Sequence, residues 1–229
     1  RETLRNYRED LDPNRAFFLD SDIQRFEAAA RRVDDEVERG RVDTAFDIFR
    51  IYRARVDDRV SDALALLESD FDFDRDESYQ FDRDDLGWPM TEADARELWR
   101  KRVKHDFLTL KLSDDSDAEI REQLRDRYKG IARRAKQFTS EDVFQAFMNA
   151  YTQTLEPHTG YMSPSTSENF DISMRLSLEG IGAVLSAEDE YTVIQRTVPG
   201  GPARQSGQVN NGDRIVGVAQ GSDGAMEDI

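Results

Sequence analysis

The stretch DTAFDIFRIYRARVDDRVSDALALLE, residues 43–68, decides the fold of most of this chain. Phe49, Tyr52, Val56, Val60, Ala63 and Leu67 recur every three or four residues, so on a helix they line one stripe while Asp and Arg occupy the other faces. A strand would alternate every second residue, and this segment does not. The spacing predicts one long amphipathic helix with a single buried face.

Outward from it the same period repeats. Toward the amino terminus, Ile23, Phe26 and Val33 mark a helix that an S-x-x-Q box at Ser21 and Gln24 would open and Gly40 would close. Toward the carboxyl terminus, Thr91 and Asp94 open a helix carrying Trp99, Val103, Phe107 and Leu110. Ile120, Leu124, Tyr128, Ile131, Ala135 and Phe138 define a fourth helix that tolerates Gly130, and Ser140 caps a fifth through Val143, Phe144, Phe147 and Tyr151 to Leu155. Short connections and the lack of a sustained heptad make these stripes the core of an α-helical domain over residues 1–155, and neither a coiled coil nor a cofactor box.

Composition narrows the function classes. The 229 residues include 13 Phe, 7 Tyr and 2 Trp, enough aromatic mass for a folded core despite 35% charged residues. A formal charge of −16 disfavours DNA, RNA or anionic lipid as the main partner, because phosphate binding needs concentrated basic surface. No apolar run is long enough to cross a bilayer, and no signal peptide is visible. The chain starts and stops in mid-pattern, which predicts a fragment of a longer protein. With no cysteine there is no disulfide, thiolate metal site or cysteine nucleophile.

Catalytic and metal-binding patterns are incomplete. DFDFDRDESYQF spaces Asp70, Asp72, Asp74 and Asp76 like calcium ligands, but the sixth and twelfth positions hold Glu77 and Arg83, or Arg75 and Phe81, where an EF-hand needs Gly and Glu. Phe71 and Phe73 there fit an extended segment pinned to the helices by its aromatics. His105 falls on a charged helix and His158 in a turn; neither belongs to H-E-x-x-H, no G-x-S-x-G elbow accompanies them, and Ser163, Ser165 and Ser167 read as linker serines. No cofactor, metal site or complete catalytic set is expected in these residues.

After Leu155 the texture changes. EPHTGYMSPSTSENF is rich in Pro, Ser and Thr and predicts a linker or hinge over 156–175. Residues 176–229 read as β: GAVL and EYTVIQRT are strands joined by the acidic turn SAEDE, PGGPARQSGQ turns into a short helix, and GDRIVGVA is a further strand. These elements are too few to close a core, so the β domain is expected to be partial. The fold class is therefore α+β.

At the mouth of the first strand, LEGIGAVL places Gly180 and Gly182 two apart. One reading is a β-bulge. The other is a nest in which successive backbone N–H groups turn toward one anion without a basic side chain. A strand leaving such a nest with an unpaired edge accepts an extended peptide by β-augmentation while the nest holds the terminal carboxylate, as in PDZ domains.

GGPARQSGQVNNGDRIVGV resembles the PDZ signature through Gly201, Pro202, Ala203, Gly207, Gly212, Asp213, Ile215 and Val218. The chain as a whole resembles the amino-terminal half of the tail-specific branch of the carboxyl-terminal-processing serine proteases. The likeness is carried by EPHTGYMSP, FDISMRLSLEGIGAVL, DEYTVIQRTVPGGPA, TSEDVFQAFMNAY and GWPMTEADARELWRKRVKHDFLTLKL. Glu156 departs from the family's Asp in the first of these.

The resemblance implies a periplasmic protein that grips the C-terminal tails of its substrates with a PDZ domain and cleaves them with a Ser/Lys dyad in a downstream protease domain, absent from this chain. It implies a carboxylate-binding loop at Leu178, Glu179, Gly180, Ile181 and Gly182, with Val184 on the groove floor. Lys101, Lys104, Lys111, Lys129 and Lys136 all lie on charged helices, the wrong setting for a neutral catalytic lysine. The alternatives are a PDZ peptide-binding module that never cuts, and a scaffold whose acidic helical surface docks an adaptor protein.

Overall fold

The computed structural model describes residues 1–113, 116–175, 180–188, 191–219, 224 and 226–228. These fall into two compact units, Arg1–Ser163 and Pro164–Ile229.

The stretch at 43–68 forms α4 (Asp43–Leu66), on which the first unit is built. At a rise of about 1.5 Å per residue it is roughly 36 Å long. Its amino-terminal half packs through Ala45 and Ile48 against α1 (Glu2–Leu11), α2 (Asp20–Ala29), α3 (Val33–Glu38) and α7 (Ser140–Thr152), around Tyr7, Phe18, Phe26 and Phe147. Its carboxyl-terminal half packs through Val56, Val60, Ala63 and Leu67 against α5 (Glu92–Lys111) and α6 (Asp117–Gln137), around Trp99, Phe107, Leu124 and Tyr128. Tyr52 touches both clusters. One stripe thus serves two cores, because neighbours approach it at two levels along its length.

The boundaries differ from the sequence reading in ways that have physical causes. α1, whose Leu4 and Tyr7 are buried, lies outside the five helices expected. The single helix expected from Ile23 to Gly40 is two, broken at Ala30–Arg32, and Gly40 ends the second with φ +67°. α2 is opened by the Asp22 carboxylate accepting the Leu19 N–H at 3.0 Å, and not by Ser21 with Gln24. Asp22 is the better device here because Arg55 also pairs with it, at 2.8 Å. Thr139, one residue before Ser140, caps α7 by accepting from Asp142 N–H, while Thr91 and Asp94 form the reciprocal box expected for α5.

The buried charges Asp12 and Arg59 both have partners, although Nε of Arg59 itself is left without one. Asp12, 1% exposed, accepts the N–H groups of Ala16, Phe17 and Phe18 at 2.8, 3.0 and 3.0 Å and Trp88 Nε1–H at 3.1 Å, which fixes the α1–α2 loop. Arg59 is fully buried on α4 and pairs with Asp62 and Glu92. In the 67–91 connection, Phe71 and Phe73 pack on Phe107, with ring centres 5.2 and 6.0 Å apart, pinning an extended segment as expected.

Residues 156–163, expected to begin a linker, are bound to the helical unit. Tyr161 N–H donates to Asn149 Oδ1 and Ser163 N–H to Gln145 Oε1, both at 2.7 Å. Glu156 Oε2 accepts from His158 N–H and Thr159 Oγ1, both at 2.9 Å, so the longer carboxylate still caps the turn.

The second unit opens with α8 (Pro164–Arg175), a helix where a hinge was expected; Pro164 sits at its first position, where the missing N–H costs nothing. Strands β1 (Ala183–Glu188), β2 (Tyr191–Thr197) and β3 (Arg214–Ile215) form an antiparallel sheet in that order. The register shifts between Val184 and Leu185, which face Arg196 and Ile194, so Gln195 of β2 is the extra residue. The short helix α9 (Pro202–Ser206) joins β2 to β3, and Gly207 ends it at φ +66°. The strand expected in GDRIVGVA divides at Val216 into β3 and β4 (Gly217–Ala219); β4 pairs with β5 (Met226–Asp228). Helix-rich and strand-poor, the molecule is α+β.

Candidate functional site

Of the six residues expected to receive a peptide, Leu178 and Glu179 lie outside the described residues, and Gly180, Ile181, Gly182 and Val184 are placed. Gly180, Ile181 and Gly182 lead directly into β1, and among the described residues β1 pairs only with β2. Its other edge pairs with no described strand.

The carbonyls of the loop are fixed. Ile181 O accepts from Ala203 N–H at 2.8 Å and Gly182 O accepts from Val198 N–H at 2.7 Å. The donor at Ala203 is available because it lies in the first turn of α9, where N–H groups have no partner within the helix. Among the described residues there is no cis peptide, so each N–H points opposite to the carbonyl of the same planar unit. Gly182 N–H therefore faces away from α9, and Ala183 N–H faces away from β2 toward that other edge. Among the described residues, the N–H groups of Gly180, Ile181 and Gly182 have no acceptor.

The two glycines do different jobs. Gly182 has φ +73°, and a methyl group on it would lie 3.0 Å from Gly201 Cα and 3.2 Å from Pro202 Cδ. Neither the angle nor the space admits a side chain. Around Gly180 there is open space and no positive φ. Ile181 is 51% exposed beside them. Val184 is half-buried and shares a face of β1 with Ser186, opposite the buried Val193, whereas Leu185 on the other face is 44% exposed. Sequence reasoning did not assign a role in the loop to Val198, Gly201 or Ala203; the G-P-A run carried that signal.

The remaining candidates are not brought together. His105 lies 3.6 Å from Asp106 with its ring tilted against that of Tyr79 at 5.2 Å, His158 is exposed in its turn, and Ser163 is buried against α7. Asp70 pairs with Arg121, Asp72 accepts from Asp74 N–H, and Glu77 pairs with Arg100 and Lys104. Among the described residues no three His, Cys, Asp or Glu converge to hold a metal ion, and no helix is long and apolar enough to cross a membrane.

The helical unit is a recognised building block of a protease class. Residues 1–165 match the family model described as the tail specific protease N-terminal domain. The chain is also 39% identical over 224 residues to the tail-specific protease of Haemophilus influenzae, an alignment that covers 97% of this chain and 32% of that relative. It belongs to the tail-specific protease family, and it spans about a third of the length of this relative.

Proposed function

We propose that the second unit is a PDZ-like module that captures the C-terminal tails of substrate proteins, in a periplasmic protease that cuts them elsewhere with a Ser/Lys dyad. The observation that carries this reading is the orientation of the loop peptides. With the carbonyls of Ile181 and Gly182 bound inside the unit, the N–H groups of Gly182 and Ala183 face outward at the end of an edge that pairs with no described strand. A tail laid along β1 gains main-chain hydrogen bonds, and its carboxylate meets amide donors. Each charge-assisted bond contributes roughly 1.5 to 3 kcal/mol, set against the cost of ordering the tail. The exposed apolar side chain of Ile181 suits a tail that ends in an apolar residue.

The test is the affinity of the full-length protein for a flexible peptide ending in leucine, with a free carboxylate and with an amide. The free acid should bind at least about tenfold more tightly, equivalent to about 1.4 kcal/mol. Equal affinities would remove the carboxylate from the reading.

A further inference from the structure

We infer that Gly201 is a positioning residue for the carboxylate-binding amides, acting through its backbone contact with Gly182. The inference rests on the peptide-capture reading above and adds to it what aims the loop.

The β2–α9 turn holds the loop from behind by three contacts. Val198 N–H donates to Gly182 O, Ala203 N–H donates to Ile181 O, and Gly182 and Gly201 lie back to back between these two bonds. The turn is itself closed, since Gly201 N–H donates to Val198 O at 3.0 Å. Pro202 follows at the first position of α9, so the next donor, Ala203 N–H, is the one delivered to the loop. The direction of the Gly182 N–H is thus set by how closely Gly201 lets residue 182 approach.

Gly201 has φ −75° and ψ 159°, an extended conformation that alanine adopts without strain. A methyl group at 201 would nevertheless lie 3.1 Å from both Gly182 Cα and Val198 O. Both neighbours are backbone atoms, so the loop must retreat by a few tenths of an ångström. That retreat lengthens the Ala203 bond and rotates the 181–182 peptide, turning its N–H off the carboxylate position. The rest of β1, which pairs with β2 as far as Glu188, is untouched. Gly182→Ala would not separate these effects, because its positive φ adds strain of its own.

The full-length protein and its Gly201→Ala variant are titrated with the leucine-ended peptide as free acid and as amide, and amide exchange is followed across β1 and β2. The variant should lose about tenfold in affinity for the acid, keep its affinity for the amide within about twofold, and keep its strand protection. An unchanged preference for the acid overturns the inference. So does equal weakening of both peptides together with lost protection, since Gly201 would then only hold the unit together. Should Gly201→Ala not fold, Ala203→lactic acid decides: exchanging the backbone N–H for an ester oxygen deletes the donor to Ile181 O and adds no atom against Gly182. That variant's preference for the free-acid peptide should collapse likewise, and a wild-type preference overturns the inference. A wild-type protein that binds acid and amide equally is a different result, one that sinks the capture reading whatever the variants do.

Discussion

Glu77 fastens the 67–91 connection to α5 with one carboxylate. It takes a two-pronged pair with Arg100 and a bond to Lys104 Nζ at 2.6 Å, and its side chain is only 11% exposed. These cations, Arg100 above all and then Lys104, pull its pKa from 4.5 down to about 2. A carboxylate whose folded pKa lies below its unfolded value stabilises fully above the unfolded pKa and loses that contribution as pH falls through the folded one. Glu77→Gln should therefore lower the urea midpoint at pH 7, with the gap to wild type narrowing below pH 4.5 and nearly closed at about pH 2. A gap that stays constant from neutral pH to pH 3 would contradict this assignment. The role was not legible in the sequence: the local run of alternating acids suggests cation ligands, and the partners stand 23 and 27 residues away on another element.

Helix starts were legible where the cap is local and illegible where it is shared. Thr91 accepts from Asp94 N–H while Asp94 accepts from Thr91 N–H, a reciprocal pair that needs nothing outside α5. Thr91→Ala should cost about 1 kcal/mol in urea unfolding. Ser21→Ala should cost nothing measurable, because Asp22 opens α2; a loss comparable to that of Thr91→Ala would restore the S-x-x-Q box. The break between α2 and α3 has no Gly or Pro to mark it, and only packing shows it. α8 was hidden by its Pro, Ser and Thr, residues that start helices as readily as they fill loops. In the candidate site the sequence exposed Gly180 and Gly182 as unusual. Their different tasks depend on Gly201, nineteen residues beyond Gly182, which only the fold brings into contact.

The two compact units differ in what holds them. Arg1–Ser163 contains both apolar clusters, including fully buried Tyr7, Phe18, Trp99, Leu124 and Tyr128. Among the described residues of Pro164–Ile229, the buried apolar side chains are Val193, Ile194 and Ala203, while Ile181, Leu185, Val216 and Val218 are each more than 40% exposed. Burial of apolar area is the main favourable term in folding, so the helical unit holds most of the stability. The family match ends at residue 165, two residues past the compact unit that ends at Ser163, so homology and packing mark nearly the same boundary. Residues 1–163 expressed alone should accordingly fold and unfold in one cooperative step, at the same urea midpoint as the helical signal of the 229-residue chain. In the longer chain, amides of β1 and β2 should exchange through openings of lower free energy than those of α4, α5 and α6. Hydrogen exchange against urea concentration reads both. If 1–163 is unfolded, or strand and helix amides share one opening free energy, then the helical unit draws its stability from the β unit and the division into independent parts fails.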